Sequence, residues 1–327
     1  MSSQPEPTVV VVGSINVDQR IALDRLPLPG ETLIASSMML WPGGKGANQA
    51  VAAARRGIRT VMVGAVGDDG RRDSALEVLA SAGVELDTVR TVPGTPTGLA
   101  VVTVAEAPGA ENTIVVVPGS NAAMDAAAVE AEAEIIAEAS VVVAQGEIPV
   151  SGIDRLAELT RSRFLLNLAP VVGVAEETLR RADPLVVNEH EAKLLLQRLR
   201  LPLGGDTADE LARDAGAAAA LRDFGVPSVV VTRGAGGAVV TTDDGVVLVP
   251  APRVDAVDTS GAGDAFVGAL ACALAREAGM QDAVRQAVRV AAHAVTAVGT
   301  QSAAPSIDEA LPALTEPERL VLPAVQE

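Results

Sequence analysis

The chain predicts an α/β fold of three layers, α/β/α, with a mainly parallel central sheet and a small separate β-sheet standing over it as a lid. Three observations carry that expectation. Short β-branched runs alternate with Ala-rich stretches of helical period along most of the 327 residues. The strand runs are apolar throughout, as strands covered on both faces must be. Two regions, 21–39 and 97–117, break the rhythm: they alternate apolar and polar residues, with Pro, Gly and Asn turns and no helix inside them.

The elements follow in order. Residues 9–12, four valines, form the first strand and run into Gly13-Ser14-Ile15-Asn16-Val17-Asp18. The first alternating region comes next, then a helix over 47–56 that Gly57 stops. A strand over 61–63 and a helix over 74–82 precede the second alternating region. The two alternating regions are expected to pair as antiparallel strands of one lid, over about 15–42 and 97–120. Beyond them the pattern predicts helices over 126–138, 189–198, 209–224, 262–278 and 281–296. Strands are predicted over 141–143, 164–168, 185–187 and 229–231. With no internal repeat and no low-complexity linker, residues 1–327 read as one domain carrying the lid.

Composition narrows the function classes. The net charge of −17 argues against nucleic-acid and anionic-membrane surfaces, but not against a small anion held by backbone N–H groups. Three Phe, one Trp and no Tyr leave the core to Val, Leu, Ile and Ala. The single cysteine, Cys272, excludes an internal disulfide and fits a reducing, cytoplasmic compartment. Residues 1–7 are polar and read as a frayed tail, and no apolar run approaches the ~20 residues of a membrane span.

Two glycine-rich helix starts carry the chemistry. Asp258-Thr259-Ser260-Gly261-Ala262-Gly263-Asp264 opens the helix at 262, so bare N–H groups and the helix dipole favour an anion there. Asp264 inside that site reads either as a helix cap or as a base that activates a hydroxyl toward a phosphoryl donor. Gly43-Gly44-Lys45-Gly46-Ala47-Asn48 opens the helix at 47. It is not a Walker A loop, because Gly46 follows Lys45, and no glycine run completes G-x-G-x-x-G. Ligands in parallel α/β sheets lie beyond the carboxyl ends of the strands. The polar residues there are Asn16 and Asp18, Gln145 and Glu147, Asn188 to Glu191, and Thr232 to Gly237. Such a rim suits a hydroxyl-rich substrate, since each buried hydroxyl both donates and accepts. His190 and His293 read as surface or packing residues, and Trp41 as packing at the base of the lid.

On these two motifs, with Gly13–Asp18, Pro29-Gly30-Glu31-Thr32 and the Asn-x-x-Glu element at 188–191, the chain resembles the ribokinase (PfkB) sugar-kinase family from about residue 9 to 306. The resemblance implies a ribokinase-like fold and ATP-dependent phosphorylation of a pentose, D-ribose at its 5-hydroxyl, with Mg²⁺. It implies that Asn16, Asp18, Gly44, Lys45, Gly46, Asn48 and Glu147 hold the sugar and that Asp264 is the base. Gly261, Ala262 and Gly263 would form the anion hole, Gly263 also touching the nucleotide. Thr232, Arg233, Gly234, Ala235, Gly236 and Gly237 would line the ATP site, with Asn188 and Glu191 acting on phosphate and Mg²⁺ through water. A monovalent cation site for K⁺ would fall on Asp258, Ser260, Ala294, Ala297, Gly299 and Ser306. The chain departs from the family pattern in extra residues between Gly299 and Pro305, and in Val288, where a polar residue near the adenine is expected. The alternatives are a kinase for a nucleoside such as adenosine or for another sugar, and a non-catalytic sugar-binding or regulatory protein on the same fold. Trp41 as the one lid aromatic weighs against the first, and an intact Gly-Ala-Gly with Asp264 against the second. A lid with one apolar face further predicts a homodimer formed lid on lid.

Overall fold

The computed structural model describes residues 6–105, 112–202, 209–242 and 245–320. The first part of the chain runs β1 (Thr8–Val12), β2 (Asn16–Leu23), β3 (Ser37–Gly43), α1 (Lys45–Arg55), β4 (Arg59–Gly67) and α2 (Arg72–Ser81). Then come β5 (Val89–Val92), β6 (Gly98–Ala105), β7 (Asn112–Val117), α3 (Ala126–Glu130), α4 (Ala133–Glu138) and β8 (Val141–Gln145). They are followed by α5 (Val150–Leu159), β9 (Arg163–Asn167), α6 (Glu176–Arg181), β10 (Leu185–Asn188), α7 (Glu189–Leu199) and α8 (Glu210–Asp223). The last part holds β11 (Val229–Thr232), β12 (Ala238–Thr242), β13 (Gly245–Val249), α9 (Ala262–Ala275), α10 (Met280–Ala294) and β14 (Glu318–Leu320).

Ten strands form the main sheet in the order β14-β13-β12-β11-β10-β9-β8-β1-β4-β5. The pairings from β5 across to β11 are parallel, and β12, β13 and β14 extend the sheet antiparallel. The valines of β1 explain its place near the middle. Val9 and Val11 enter an apolar cluster with α1, α2, α9 and α10, while Val10 and Val12 enter a second one with α3 to α8. A strand wanted by two cores has no polar face. The three-layer α/β/α expectation therefore holds, with the antiparallel end strands as an addition.

α9 is apolar on every side, and all its residues from Asp264 to Ala275 are buried. It packs against α1 at Gly268, where an added Cβ would stand 2.5 Å from the Gln49 carbonyl oxygen and 2.6 Å from the Ala52 Cβ. That backbone-to-backbone approach brings the start of α1 beside the start of α9.

Four strands, in the order β3-β2-β6-β7, form the second sheet. β2–β3 and β6–β7 are antiparallel as expected, but the central pair β2–β6 is parallel, in register from Asn16↔Gly98 to Leu23↔Ala105. The chain leaves β3, builds α1, β4, α2 and β5 in the main body, and returns to lay β6 along β2 in the same direction. The helix expected over 126–138 is broken at Ala131–Glu132 into α3 and α4. Among the described residues no helix is long and apolar enough to cross a membrane.

Candidate active site

The carboxyl end of β1 turns at Gly13, whose N–H donates to the Val63 carbonyl at 3.1 Å. Asn121 fixes the next residues from the far side of the chain. Its Oδ1 accepts from Ile15 N at 2.9 Å, and its Nδ2 donates to Ile15 O at 3.3 Å and to Asn16 Oδ1 at 2.7 Å. Ser14 reaches the other way: its hydroxyl donates to Glu147 Oε2 at 2.5 Å, and the same oxygen accepts from Lys45 N at 3.1 Å. Glu147 thus caps α1, whose N-cap Gly44 has a positive φ and no side chain to do so. The Glu147 carboxylate locks the end of β8 to the Gly43–Asn48 turn.

Asp18 lies on β2, its carboxylate seated against the bare Cα of Gly43. Burial, then the neighbouring Glu147 and Asp264 carboxylates, push its pKa up to about 7 against the opposing pull of Lys45. Lys45 is the ammonium at the centre of this acidic group. Burial would lower its pKa, but Asp264, Glu147, Glu191 and Asp18 outweigh burial and hold it above the ordinary lysine range. Asp18 Oδ1 and Asn48 Oδ1 are buried without a hydrogen-bond partner. Two acceptors held dry and unpaired are ready for hydroxyl donors.

Asp264, in the first turn of α9, is 8% exposed. Asn48 Nδ2 donates to its Oδ2 at 2.8 Å and Gln49 Nε2 to its Oδ1 at 2.9 Å. Beside it Gly261, the N-cap, adopts φ +73°, with Thr300 packed 3.0 Å from where a Cβ would be. A side chain is therefore excluded there both by conformation and by space. In front of Gly263 a Cβ would meet nothing within 4 Å. The start of α9 is therefore open in front of Gly263, while the Ala262 N–H donates to the Thr259 carbonyl at 3.3 Å; a helix start left open in this way can receive an anion.

The remaining expected residues fall around this centre. Asn188 and Glu191 form a reciprocal capping box on α7, each side chain bonded to the other's backbone N–H at 2.8 Å. Burial raises the Glu191 pKa, against the Asn188 N–H and Lys45. Thr232 ends β11, and Gly234–Gly236 form a short 3₁₀ turn closed by Arg233 N to Gly237 O at 2.8 Å. The Arg233 guanidinium lies against Gly236 and pairs with Asp214 at 2.5 Å, both side chains nearly buried. Asp258 accepts from Ser260 N at 2.9 Å and from Gly299 N at 3.1 Å. Burial would raise it, but these N–H groups hold its carboxyl below the usual range. The Ala297 N–H turns back to the Ala294 carbonyl at 3.4 Å. Ser306 is engaged elsewhere, its N–H donating to Glu309 and its carbonyl accepting from Arg56. Ser302, among the extra residues, stands nearer: its Oγ is 2.3 Å from where a Cβ on Gly299 would lie. Trp41 lies under the Arg20 guanidinium, 5.8 Å from ring centroid to Cζ, at the β3 end of the second sheet.

Four residues that carry this geometry were not marked as site residues by the sequence, Ser14, Gln49, Asn121 and Asn167, while Gln145 was read on the rim but given no role. Ser14, Gln49 and Gln145 adjoin the motifs, so proximity was their signal. Asn121 and Asn167 had none, since they act across 105 to 118 residues of chain.

Residues 6–307 match the family described as pfkB family carbohydrate kinase. The chain belongs to that family. It is a kinase that transfers a phosphoryl group to a sugar hydroxyl. It is 34% identical over 307 residues to the ribokinase of Haemophilus influenzae, covering 93% of this chain and 97% of that protein. It is 36% identical to the deoxyribokinase of Salmonella typhimurium, covering 92% and 96%. The structure of Arabidopsis thaliana ribokinase complexed with ribose and ATP is similar with a TM-score of 0.82 at 30% identity, over 93% of this chain and 97% of that one.

Proposed function

We propose that this pfkB kinase transfers the γ-phosphoryl group of ATP to the 5-hydroxyl of D-ribose. The observation that carries the reading is the buried Asp264 carboxylate, held by Asn48 and Gln49 at a helix N-terminus and flanked by the unpaired oxygens of Asp18 and Asn48. In the reaction the sugar O–H proton passes to Asp264 while the oxygen's electron pair forms the new bond to phosphorus. The bond from phosphorus to the β,γ-bridging oxygen breaks, and ADP leaves with that electron pair. The N–H groups of Gly261, Ala262 and Gly263 take the charge on the transferring oxygens, with Lys45 close by.

Asn16, Asp18, Gly44, Lys45, Gly46, Asn48 and Glu147 line the sugar side in this reading, and Thr232–Gly237 the nucleotide side. Ribose rather than deoxyribose is supported by the two unpaired acceptors, which suit a full set of hydroxyls, and by the ribose complex of the Arabidopsis relative. Among the described residues no three His, Cys, Asp or Glu cluster as a metal site. The donors present suit cations held by water and backbone carbonyls. Asn188 and Glu191 would hold Mg²⁺ through water, and Asp258 with carbonyls of Ser260, Ala294, Ala297 and Gly299 would hold K⁺, with Ser302 beside Gly299 in the place expected for Ser306. Bound Mg²⁺ would neutralise phosphate charge.

The second sheet acts as a lid, and its edge strands β3 and β7 expose Met38, Met39, Leu40 and Ile114 to Val117. Such a patch fits a second copy, giving a homodimer lid on lid. The cytoplasm is the compartment that supplies ATP to such an enzyme. The deciding experiment measures ADP release with ribose, deoxyribose, fructose and adenosine as acceptors. The reading requires the highest kcat/KM for ribose; a tenfold preference for any other acceptor overturns it.

A further inference from the structure

We propose that Gln49 is a positioning residue for phosphoryl transfer, aiming the Asp264 carboxylate through a buried chain of side-chain amides whose direction is set by a backbone carbonyl. The inference rests on the reading of Asp264 as the base.

The chain of amides is a product of sheet register. Gln145 at the end of β8 stands beside Asn167 at the end of β9, and Asn167 stands beside Val186 of β10. Asn167 Nδ2 donates to the Val186 carbonyl at 3.1 Å. A backbone carbonyl can only accept, so Asn167 cannot flip, and its Oδ1 must face Gln49. Gln49 then has to offer its amide nitrogen, which donates to Asn167 Oδ1 at 3.0 Å and to Asp264 Oδ1 at 2.9 Å. Its own Oε1 accepts from Gln145 Nε2 at 2.8 Å. Turning the Gln49 amide over would set its oxygen against two other oxygens in a site closed to water, since Gln49 and Gln145 have no exposed surface.

Two consequences follow for Asp264. It faces N–H donors from adjacent residues of α1, Asn48 on one oxygen and Gln49 on the other, so the plane of the carboxylate is fixed. Each oxygen keeps a lone pair for the incoming hydroxyl proton. Gln49 has both N–H groups and its oxygen engaged, so it acts through Asp264 and makes no contact with substrate.

The test is a double-mutant cycle on kcat and KM, with thermal unfolding to confirm that each variant is folded. Gln49→Met keeps length and volume but removes every hydrogen bond, and kcat should fall roughly 10²-fold with KM changed by less than about threefold, as misplacement of a reacting group costs. In an Asp264→Asn background the same change should cost less than about twofold, because the group it positions is gone. Asn167→Leu removes the fixed acceptor one step further from substrate and should give the same pattern, which keeps the test available if Gln49→Met does not fold. Unchanged kcat in both Gln49→Met and Asn167→Leu, or a full 10²-fold loss added on top of Asp264→Asn, overturns the proposal. Normal turnover in Asp264→Asn alone would instead overturn the reading of the base.

Discussion

Asp18 should make the sugar-free enzyme less stable as the pH rises, and its replacement should make the protein more stable while removing sugar binding. Its carboxyl titrates at about 7 in the folded chain against an ordinary 3.8. At 1.36 kcal/mol per pKa unit the difference is worth about 4 kcal/mol. The sign follows from proton counting. Below pH 3.8 the folded and unfolded chains both hold the proton, and the site has no effect on stability. Between 3.8 and about 7 the unfolded chain has lost the proton and the folded one keeps it, so stability falls with rising pH by up to about 1.4 kcal/mol per pH unit. Above 7 both are ionised, and the full cost of a carboxylate buried beside Glu147 and Asp264 is present. Asp18→Asn keeps the shape against Gly43 and removes the charge. Urea unfolding of wild type and variant should therefore coincide near pH 4, and at pH 8 the variant should be more stable by about 3–4 kcal/mol. Calorimetric titration with ribose should show binding to wild type and none to the variant. A variant less stable than wild type at pH 8, or a stability difference that does not change between pH 4 and 8, refutes the argument.

Asp264→Asn should lower kcat by about 10²-fold or more while ribose binding weakens far less; near-normal turnover would reduce Asp264 to a helix cap. Exchanging K⁺ for Na⁺ should slow the enzyme, and Asp258→Ala should remove that difference together with most activity. Because Ser302 stands at Gly299 and Ser306 is tied to Arg56 and Glu309, Ser302→Ala should weaken the K⁺ response more than Ser306→Ala; equal rates in K⁺, Na⁺ and a bulky organic cation would dismiss the site. Sedimentation at micromolar concentration should show a dimer that charged substitutions at Ile34 and Ile114 weaken, whereas a 33.1 kDa species alone would exclude it.

What the sequence disclosed, it disclosed locally. The valines of β1 announce a strand between two cores, and the glycines at 43–46 and 261–263 announce helix starts, because those properties belong to neighbouring residues. Strand direction is not such a property. Alternation in 97–117 states which face is apolar, but it cannot state that β6 returns parallel to β2, since that depends on the excursion through β4 and β5. The antiparallel end strands β12 and β13 escaped for a related reason: their residues are as apolar as a parallel strand's, and the reversal from β11 into β12 is marked only by the glycine turn at 234–237. Gln49 reads as one more polar residue in a helix. Its meaning appears only when β8, β9 and β10 are laid side by side.

The charge balance of the site explains why those long-range clamps are needed. Lys45 is surrounded by Asp18, Glu147, Glu191 and Asp264, so the site holds more carboxylates than this ammonium can neutralise. The whole chain carries −17, and the proposed donor is itself an anion. Repulsion of that size would spread the carboxylates toward water if they were free to turn. Each is held instead by N–H groups: Glu147 by Lys45 N, Glu191 by Asn188 N, and Asp264 by Asn48 and Gln49. The anion then meets the backbone donors at the start of α9, whose partial charge cannot be lost by titration. Asp18 is the exception, with one oxygen unpaired, and it is there that a sugar hydroxyl would supply the missing donor.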